Sequence, residues 1–292
     1  MVNFYDYVSG NDCFRKFMSD DIMLASYRCM LDQSQIPVWT HHNCFLYVLT
    51  GSDKWFSDGK SYFLQAGDVG FIRRGAYLAQ RCSEEEFNAV VLFVSDAFIH
   101  SILGKHRANT SLLPLPPGTT TQTVFVQPTD KLLSAYFTSL HAYFQFGHNP
   151  SPELLRIKCE ELLLLLLSGG INPELARHLS TGYQSGKVSI PQVMESSFMF
   201  NMSLEEYARL CARSLSSFKA DFHEVYHTTP GKWLIARRLQ YARFLIETTD
   251  QSVNDIAFNS GFKNTTHFVR IFKENYGMPP MKYRMQNRIK AA

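Results

Sequence analysis

An internal repeat in the last hundred residues restricts the fold of this chain more than any other feature. Segments 203–230 and 252–280 can be written in register, with Ala208 corresponding to Ala257, 49 residues later. After one additional residue in the second copy the offset becomes 50, and four further positions match: Phe218, Phe222, Tyr226 and Pro230 correspond to Phe268, Phe272, Tyr276 and Pro280. A duplication of this length indicates that one supersecondary unit is built twice.

Each copy has the pattern of a helix, a tight turn and a second helix. Residues that favour helix N-caps stand at the start of every predicted helix: Ser203 with Glu206, Ser252 with Asp255, Ser214, and Asn264. Gly261 stands in the second turn, where a sharp change of direction favours a positive φ. The Phe residues of each second helix are four apart, so they share one side of that helix and anchor it to a core. The opposite side is left free.

A longer helix is predicted between the two units. Thr229-Pro230 starts it, since proline is favoured at the first helical position. Its apolar stripe is predicted to be Ile235, Leu239, Ala242 and Ile246, and its basic outer side Lys232, Arg237, Arg238 and Arg243. Such a helix would fix the separation of the two units.

Charge separates the two parts of the chain. Residues 187–292 contain 15 Lys and Arg against 9 Asp and Glu, whereas residues 1–186 contain 14 against 17. A basic C-terminal part joined to a mildly acidic N-terminal part indicates a nucleic-acid reader attached to another domain.

Several motifs follow one another in the C-terminal part: Arg238–Ile246, Ser252–Ala257, Ser260–Phe262, His267–Lys273 and Tyr276–Arg284. With these motifs, residues 187–288 resemble the AraC/XylS family of transcription regulators. The resemblance implies a domain of seven helices whose two recognition helices enter successive major-groove segments on one face of DNA. That arrangement agrees with helix-turn-helix geometry, in which successive groove segments on one face recur about 34 Å apart.

The residues expected to face DNA are those on each second helix that avoid the Phe anchors. In the first unit they are Ser216, Ser217, Lys219, Ala220 and His223, and in the second Thr265, Thr266, His267, Val269, Arg270 and Lys273. Among these, the resemblance points to Ser216, Lys219, Ala220, Thr266, His267 and Arg270. Ala220 departs from the family, many of whose members carry a long polar or basic residue there. Arg can bind guanine in bidentate fashion. For each residue, contact with a phosphate is the alternative to contact with a base.

The N-terminal part is predicted to be rich in β-strands. Apolar stretches at 45–49, 62–64, 69–72 and 89–94 are separated by Gly and Asp turns, which is typical of a sandwich or barrel. A loop is predicted over 110–121, and helices over about 129–145, 152–168 and 173–180. The predicted apolar positions of the first two helices are Leu132, Leu133, Tyr136, Leu140, Tyr143 and Phe144, and then Leu154, Leu155, Ile157 and the leucine run 162–167. Residues 182–187, rich in Gly, Ser and Gln, are the predicted linker. The predicted domains are therefore 1–182 and 187–292.

The region from Trp39 to Val94 resembles the cupin-like barrel that this family often joins to its DNA-binding domain. The fold class expected is α+β: an N-terminal cupin-like β-barrel with dimerisation helices, then an all-α domain with two helix-turn-helix motifs. The two helices over 129–168 either form a dimer seam or simply pack on the barrel. This half also resembles the regulatory half of type III secretion activators, which are often controlled by a protein partner rather than a small molecule.

No catalytic or metal-binding constellation is predicted. His41 and His42 are adjacent, so if they lie on a strand at most one can enter a barrel, and a metal site needs three or four ligands with set spacing. Neither paired carboxylates nor a nucleophile elbow occurs in a convincing context. We therefore expect no enzyme activity, no metal and no cofactor.

The function predicted is sequence-specific DNA binding by a transcription regulator, an activator controlled through its N-terminal domain. The expected partners are double-stranded DNA, RNA polymerase, a second copy of the chain, and a small-molecule or protein effector. The N-terminus lacks the features of a signal peptide, and the apolar run Leu162–Leu167 is too short to span a membrane, so no membrane contact and a cytoplasmic location are expected. Two alternatives remain: a cupin-type metalloenzyme with a DNA-binding tail, and a regulator gated by a protein rather than a ligand.

Overall fold

A computed structural model describes residues 1–28, 35–57, 59–82, 86–106, 122–168, 172–182 and 188–291. These residues divide into two compact units, Met1–Val188 and Ser189–Ala292. The predicted loop over 110–121 and residues 183–187 of the predicted linker lie outside the described residues.

All eleven strands and five of the twelve helices in the described part of the chain belong to the first unit. Its strands are β1 (Val2–Asn3), β2 (Lys16–Met18), β3 (Ile22–Arg28), β4 (Gln35–Thr40), β5 (Asn43–Thr50), β6 (Ser52–Ser57), β7 (Lys60–Gln65), β8 (Asp68–Ile72), β9 (Gly75–Arg81), β10 (Asn88–Val94) and β11 (Val124–Pro128). Its helices are α1 (Phe4–Gly10), α2 (Asp96–His106), α3 (Lys131–Phe146), α4 (Pro152–Ser168) and α5 (Pro173–Gly182).

The strands form two sheets. The five-stranded sheet has the order β1-β4-β9-β6-β7, and the six-stranded sheet has the order β11-β8-β5-β10-β3-β2. Neighbouring strands are antiparallel except for β1 and β4. The four apolar stretches predicted as strands lie within β5, β7, β8 and β10, so these predictions are confirmed.

The six-stranded sheet is buried on both faces. Along β10, Ala89, Val91 and Phe93 face the five-stranded sheet, while Val90, Leu92 and Val94 face helices α2 to α5. Successive side chains of a strand point to opposite faces, and here each face has an apolar layer to contact. This double burial explains why the strand reads as an unbroken apolar run rather than as an alternating one.

Helices α3, α4 and α5 lie where the sequence predicts helices, but the apolar stripe was assigned too widely. Leu133 and Leu155 are buried against the sheet, whereas Leu132, Leu154 and Ile157 are exposed. The reason is geometric, since only one side of a helix can face the sheet and adjacent residues lie about 100° apart.

A buried histidine joins α5 to the six-stranded sheet. The ring of His178 stacks on Phe125 at 5.6 Å between centroids and lies 6.0 Å from Phe71. Burial, reinforced by the charge of Arg73, lowers the pKa of His178 to about 3. The imidazole is therefore neutral at physiological pH and acts as an aromatic part of the core.

His41 and His42 lie in the turn between β4 and β5 rather than on a strand. The expectation based on strand alternation therefore does not apply to them. Their rings lie 5.0 and 4.3 Å from the ring of Tyr5. Within the described residues, no group of three His, Cys, Asp or Glu side chains could hold a metal ion.

The second unit is helical. It contains α6 (Ile190–Ser197), α7 (Leu204–Leu210), α8 (Leu215–Tyr226), α9 (Pro230–Thr248), α10 (Val253–Asn259), α11 (Thr265–Tyr276) and α12 (Pro280–Ala291). The long helix α9 contacts α8, α10 and α12, so it connects the two repeats as predicted. In the described part of the chain, no helix is long and apolar enough to cross a membrane.

The face of α9 that packs inward differs in part from the prediction. Leu239, Ala242 and Ile246 are buried as expected, but Ile235 is exposed, and Leu234 takes its place in the core. Leu234 lies eleven residues, close to three full turns, before Leu245, which is also buried, so both face the same side of the helix.

Candidate nucleic-acid interface

The repeats fold as two helix-turn-helix units, α7 with α8 and α10 with α11. All four predicted N-caps are formed, because the side chains of Ser203, Ser214, Ser252 and Asn264 each accept a hydrogen bond from the backbone N–H three residues later. Only the first start is a full capping box, in which Glu206 also accepts from the Ser203 N–H at 2.6 Å. The Asp255 carboxylate, one methylene shorter, accepts instead from the Ser252 hydroxyl at 2.7 Å.

The second helix of each unit is held by aromatic side chains. Phe218 and Phe222 are fully buried, as are Phe268 and Phe272 in the second unit. The matching extends to Tyr226 and Tyr276, whose rings lie 4.6 Å from the second Phe of their unit. Each cluster is completed by one ring from the following helix: Trp233 in the first unit and Tyr283 in the second.

Trp233 and Tyr283 are members of the repeat that the sequence reasoning missed. They stand 50 residues apart, the same offset as the Phe and Tyr pairs. The signal was therefore present, but a Trp and a Tyr do not match by identity.

The turns of the two units have the same backbone geometry. Ala212 and Gly261 both adopt a positive φ, 52° and 86° respectively. In each case the next residue donates a hydrogen bond to the carbonyl five residues before it: Arg213 to Ala208, and Phe262 to Ala257, both at 3.0 Å. This pattern satisfies the last carbonyls of the first helix and favours glycine at the left-handed position. The first unit places alanine there.

The predicted DNA-facing residues lie on the solvent side of α8 and α11. The exposed residues are Ser216, Ser217, Lys219, Ala220 and His223 on α8, and Thr266, His267, Arg270 and Lys273 on α11. Thr265 and Val269 are half-buried, and the Thr265 hydroxyl donates to Asn254 Oδ1 of α10 at 2.5 Å. The structure thus groups these residues on one side of each helix, opposite the Phe anchors. Their contacts with DNA stay a prediction.

The two best-placed basic side chains differ in their surroundings. Arg270 pairs with Glu274, one turn later, at 2.8 Å, and both side chains are more than half exposed. Within the described residues, Lys219 forms no ion pair. An exposed pair of this kind contributes only about 0.3–0.5 kcal/mol, whereas a good bidentate base contact discriminates by about 1–3 kcal/mol. Arg270 can therefore exchange Glu274 for a base at small cost.

The basic face predicted for α9 is smaller than expected. Arg237 pairs with Glu195 at 2.9 Å, and Arg243 with Glu247 at 3.4 Å. Arg238 was placed on the outer side incorrectly, since its guanidinium turns inward and donates to two backbone carbonyls, those of Phe198 and Phe200. Nearby, burial raises the pKa of the Tyr207 hydroxyl to about 12, and the positive charge of Arg238 opposes part of this rise.

Comparison with known proteins agrees with this architecture. Residues 43–178 match the ExsA N-terminal regulatory domain family, and residues 207–286 match a helix-turn-helix domain family. The thermoregulatory protein LcrF of Yersinia pestis is 28% identical over 250 residues, which is 84% of this chain and 90% of LcrF. The chain belongs to the AraC/XylS family.

Two further relatives match this chain over a similar length. The virulence regulon transcriptional activator VirF of Yersinia enterocolitica is 27% identical over 250 residues, covering 84% of this chain and 90% of VirF. The transcriptional regulator ExsA of Pseudomonas aeruginosa is 25% identical over 245 residues, covering 82% and 85%. This AraC-family protein is therefore a DNA-binding transcription regulator with an N-terminal regulatory domain, and it is not an enzyme. The metalloenzyme alternative is set aside.

Replacing Ala212 by glycine tests the geometry of the first turn. Because the left-handed conformation costs a residue with a Cβ about 1–2 kcal/mol, we expect Ala212→Gly to raise the free energy of unfolding of the helical domain, Ser189–Ala292, by about 1 kcal/mol. The measurement is calorimetry of the full chain. Ala220→Gly is the matched control, since Ala220 is exposed within α8 and the same change there should lower stability by about 1 kcal/mol. Equal destabilisation by both changes would contradict the turn geometry.

Proposed function

We propose that this regulator activates transcription by placing α8 and α11 in successive major-groove segments on one face of its operator. The observation that carries the proposal is the duplication itself: each helix buries two Phe rings on one side and exposes polar or basic side chains on the other. One helix-turn-helix reads a groove segment of a few base pairs, and two units joined by α9 would read two such segments about one helical turn apart.

Activation rests on the relatives, since VirF is described as a transcriptional activator. An activator acts on RNA polymerase, which is therefore a proposed partner. We place the protein in the cytoplasm, where bacterial DNA is. Residues 187–292 are proposed to form the DNA-binding domain, and residues 1–182 the domain that controls it.

Arg270 is the side chain proposed to read a base. Its guanidinium has the fork that matches guanine O6 and N7, while Lys219 is a point charge on a flexible stem that binds either a base or a phosphate. The proposed set also contains Ser216, Ser217, Ala220, His223, Thr265, Thr266 and His267, whose hydroxyl, methyl and imidazole groups suit hydrogen bonds and methyl contacts, and Lys273, whose ammonium suits a phosphate.

Removal of the two basic side chains separates base reading from phosphate contact. We expect Arg270→Ala to cost about 1–3 kcal/mol on cognate DNA and to relax specificity at one position. If Lys219 contacts a phosphate, Lys219→Ala weakens cognate and scrambled DNA alike and reduces the salt slope by about one unit. The measurement is a binding titration of both DNAs at several salt concentrations.

Arg243→Ala provides the control for this titration. Arg243 is an exposed arginine on α9, outside both recognition helices, and its removal should leave the ratio of cognate to scrambled affinity unchanged. Unchanged affinity of Arg270→Ala for both DNAs would show that this side of α11 does not face the groove.

The N-terminal unit, Met1–Val188, is proposed to control the helical unit, Ser189–Ala292, through a protein or small-molecule effector and through dimerisation. The match of residues 43–178 to a regulatory domain family supports the control role. Exposed apolar side chains on α3 and α4 support the dimer: Leu132, Phe146, Leu154 and Ile157. Of these, Ile157 also lines an open groove of about 460 Å³, together with Lys105, Glu160, Glu161, Leu164 and Leu165.

An acidic residue on this surface should prevent self-association. Ile157 is 61% exposed, so Ile157→Glu leaves the core intact, whereas changes at the buried Leu133 or Leu155 would disturb folding. We expect Ile157→Glu to weaken dimerisation at least tenfold, about 1.4 kcal/mol, in sedimentation equilibrium of the full chain. Phe63→Glu, an exposed apolar residue on β7, is the control that should dimerise normally. A wild-type chain that stays monomeric at micromolar concentration would contradict the proposal.

A further inference from the structure

Three segments of the helical unit, Ser189–Ala292, meet at one point. They are the turn of residues 198–200 between α6 and α7, the side chain of Arg238 in the middle of α9, and Gly261 in the turn between α10 and α11. The first segment precedes the first helix-turn-helix unit directly, and the third is the turn of the second unit. This junction therefore joins the two helix-turn-helix units by a packing contact, in addition to their covalent connection through α9.

Arg238 holds the first of these segments. Its Nε donates to the carbonyl of Phe198 at 2.7 Å, and its Nη2 donates to the carbonyl of Phe200 at 2.8 Å. Phe198 is the C-cap of α6, where carbonyls lack partners within the helix and the helix dipole places partial negative charge. A planar guanidinium satisfies two such acceptors in a fixed direction, which a lysine ammonium does not.

A side chain of the first helix-turn-helix unit also binds the turn of residues 198–200. The hydroxyl of Tyr207, buried on α7, shares its one hydrogen between the carbonyl of Ser197, at 2.9 Å, and that of Phe200, at 3.2 Å. Phe200 therefore accepts from α7 and from α9 together. The orientation of α7 relative to α9 depends on this shared carbonyl.

Gly261 brings the second unit onto the junction. A Cβ at this position would lie 2.7 Å from the carbonyl oxygen of Met199 and 2.8 Å from Nε of Arg238. The backbone of the second turn thus packs directly on the first segment, with no side chain between them. From Gly261 the chain continues within three residues to Asn264, the N-cap of α11.

We infer that Arg238 is a positioning residue that fixes the distance between the two recognition helices and thereby the half-site spacing that the protein accepts on DNA. The inference rests on the proposed function, in which α8 and α11 both enter the major groove. Arg238 does not touch DNA in this account. It acts by keeping the turn of the second unit and the start of the first unit in one arrangement.

Spacing of the operator half-sites is the property to measure. Operators are first selected from random DNA with the full wild-type chain, and the spacer between the half-sites is then lengthened or shortened by one base pair. Each base pair moves a half-site by about 3.4 Å along the axis and about 35° around it. We expect wild-type affinity to fall about tenfold or more for either change, as two half-sites can no longer be engaged together.

Arg238→Lys and Arg238→Gln are expected to flatten this dependence. Each should bind the selected operator about five- to tenfold more weakly, and a change of one base pair should cost less than about threefold. Affinity for DNA with a single half-site should stay within about twofold of wild type, because each recognition helix is intact. Arg237→Lys is the matched control. Lysine keeps the positive charge that pairs with Glu195 and lies over the Phe198 ring, and neither contact involves a carbonyl of the turn, so this variant should keep the wild-type profile.

The outcomes separate this inference from the proposed function. If the wild type tolerates spacer changes or selects one half-site only, two-helix reading fails, and the role of Arg238 fails with it. If the wild type is sensitive and both Arg238 variants keep the same sensitivity, the positioning role alone is wrong. If the variants lose single half-site binding to the same degree as operator binding, Arg238 supports folding generally, and the positioning role is again wrong.

Discussion

The burial of two phenylalanine rings on one side of each recognition helix is the interaction on which the DNA-binding unit depends. Phe218 and Phe222 anchor α8, and Phe268 and Phe272 anchor α11. Each ring contributes about 1.5–3 kcal/mol through removal of apolar surface from water. Because the rings are four residues apart, they fix the rotation of the helix about its axis. That rotation decides which side chains face solvent, and so which can face DNA.

The two units share this anchor and differ in what they expose. The proposed contact residues on α8 are mainly serine and alanine, with Lys219 as the one lysine, whereas those on α11 include His267, Arg270 and Lys273. Hydrogen-bond donors with fixed geometry distinguish bases better than hydroxyls and methyl groups do. We therefore expect the second unit to provide most of the base discrimination, and the first unit to add affinity and register. The rigid junction at Arg238 would make these unequal contributions depend on one spacing.

The features predicted correctly from the sequence are local or repeated. Caps such as Ser203 and Asn264 follow from residue type and position, and the Phe anchors follow from a period of four that occurs twice. Three strands of the six-stranded sheet, β5, β8 and β10, were visible because double burial makes them continuously apolar. These signals need no knowledge of the partner surface.

The errors concern residues whose environment is set by distant parts of the chain. Arg238 has the composition of a surface residue, and only the carbonyls of Phe198 and Phe200, about 40 residues away, turn it inward. Ile235 and Leu234 are both apolar neighbours, and the fold buries Leu234 while Ile235 stays exposed. Leu132, Leu154 and Ile157 extend an apolar pattern beyond the width that one sheet can cover. Helix periodicity reports that a surface is apolar, and it does not report what covers that surface.

The central claim is that both repeats contact DNA at the same time and from one side. Hydroxyl-radical footprinting of the full chain on its selected operator tests this most directly. The account predicts two protected segments on the same face of the duplex, with centres about 10–10.5 base pairs apart. A single protected segment, or two segments on opposite faces, would contradict it.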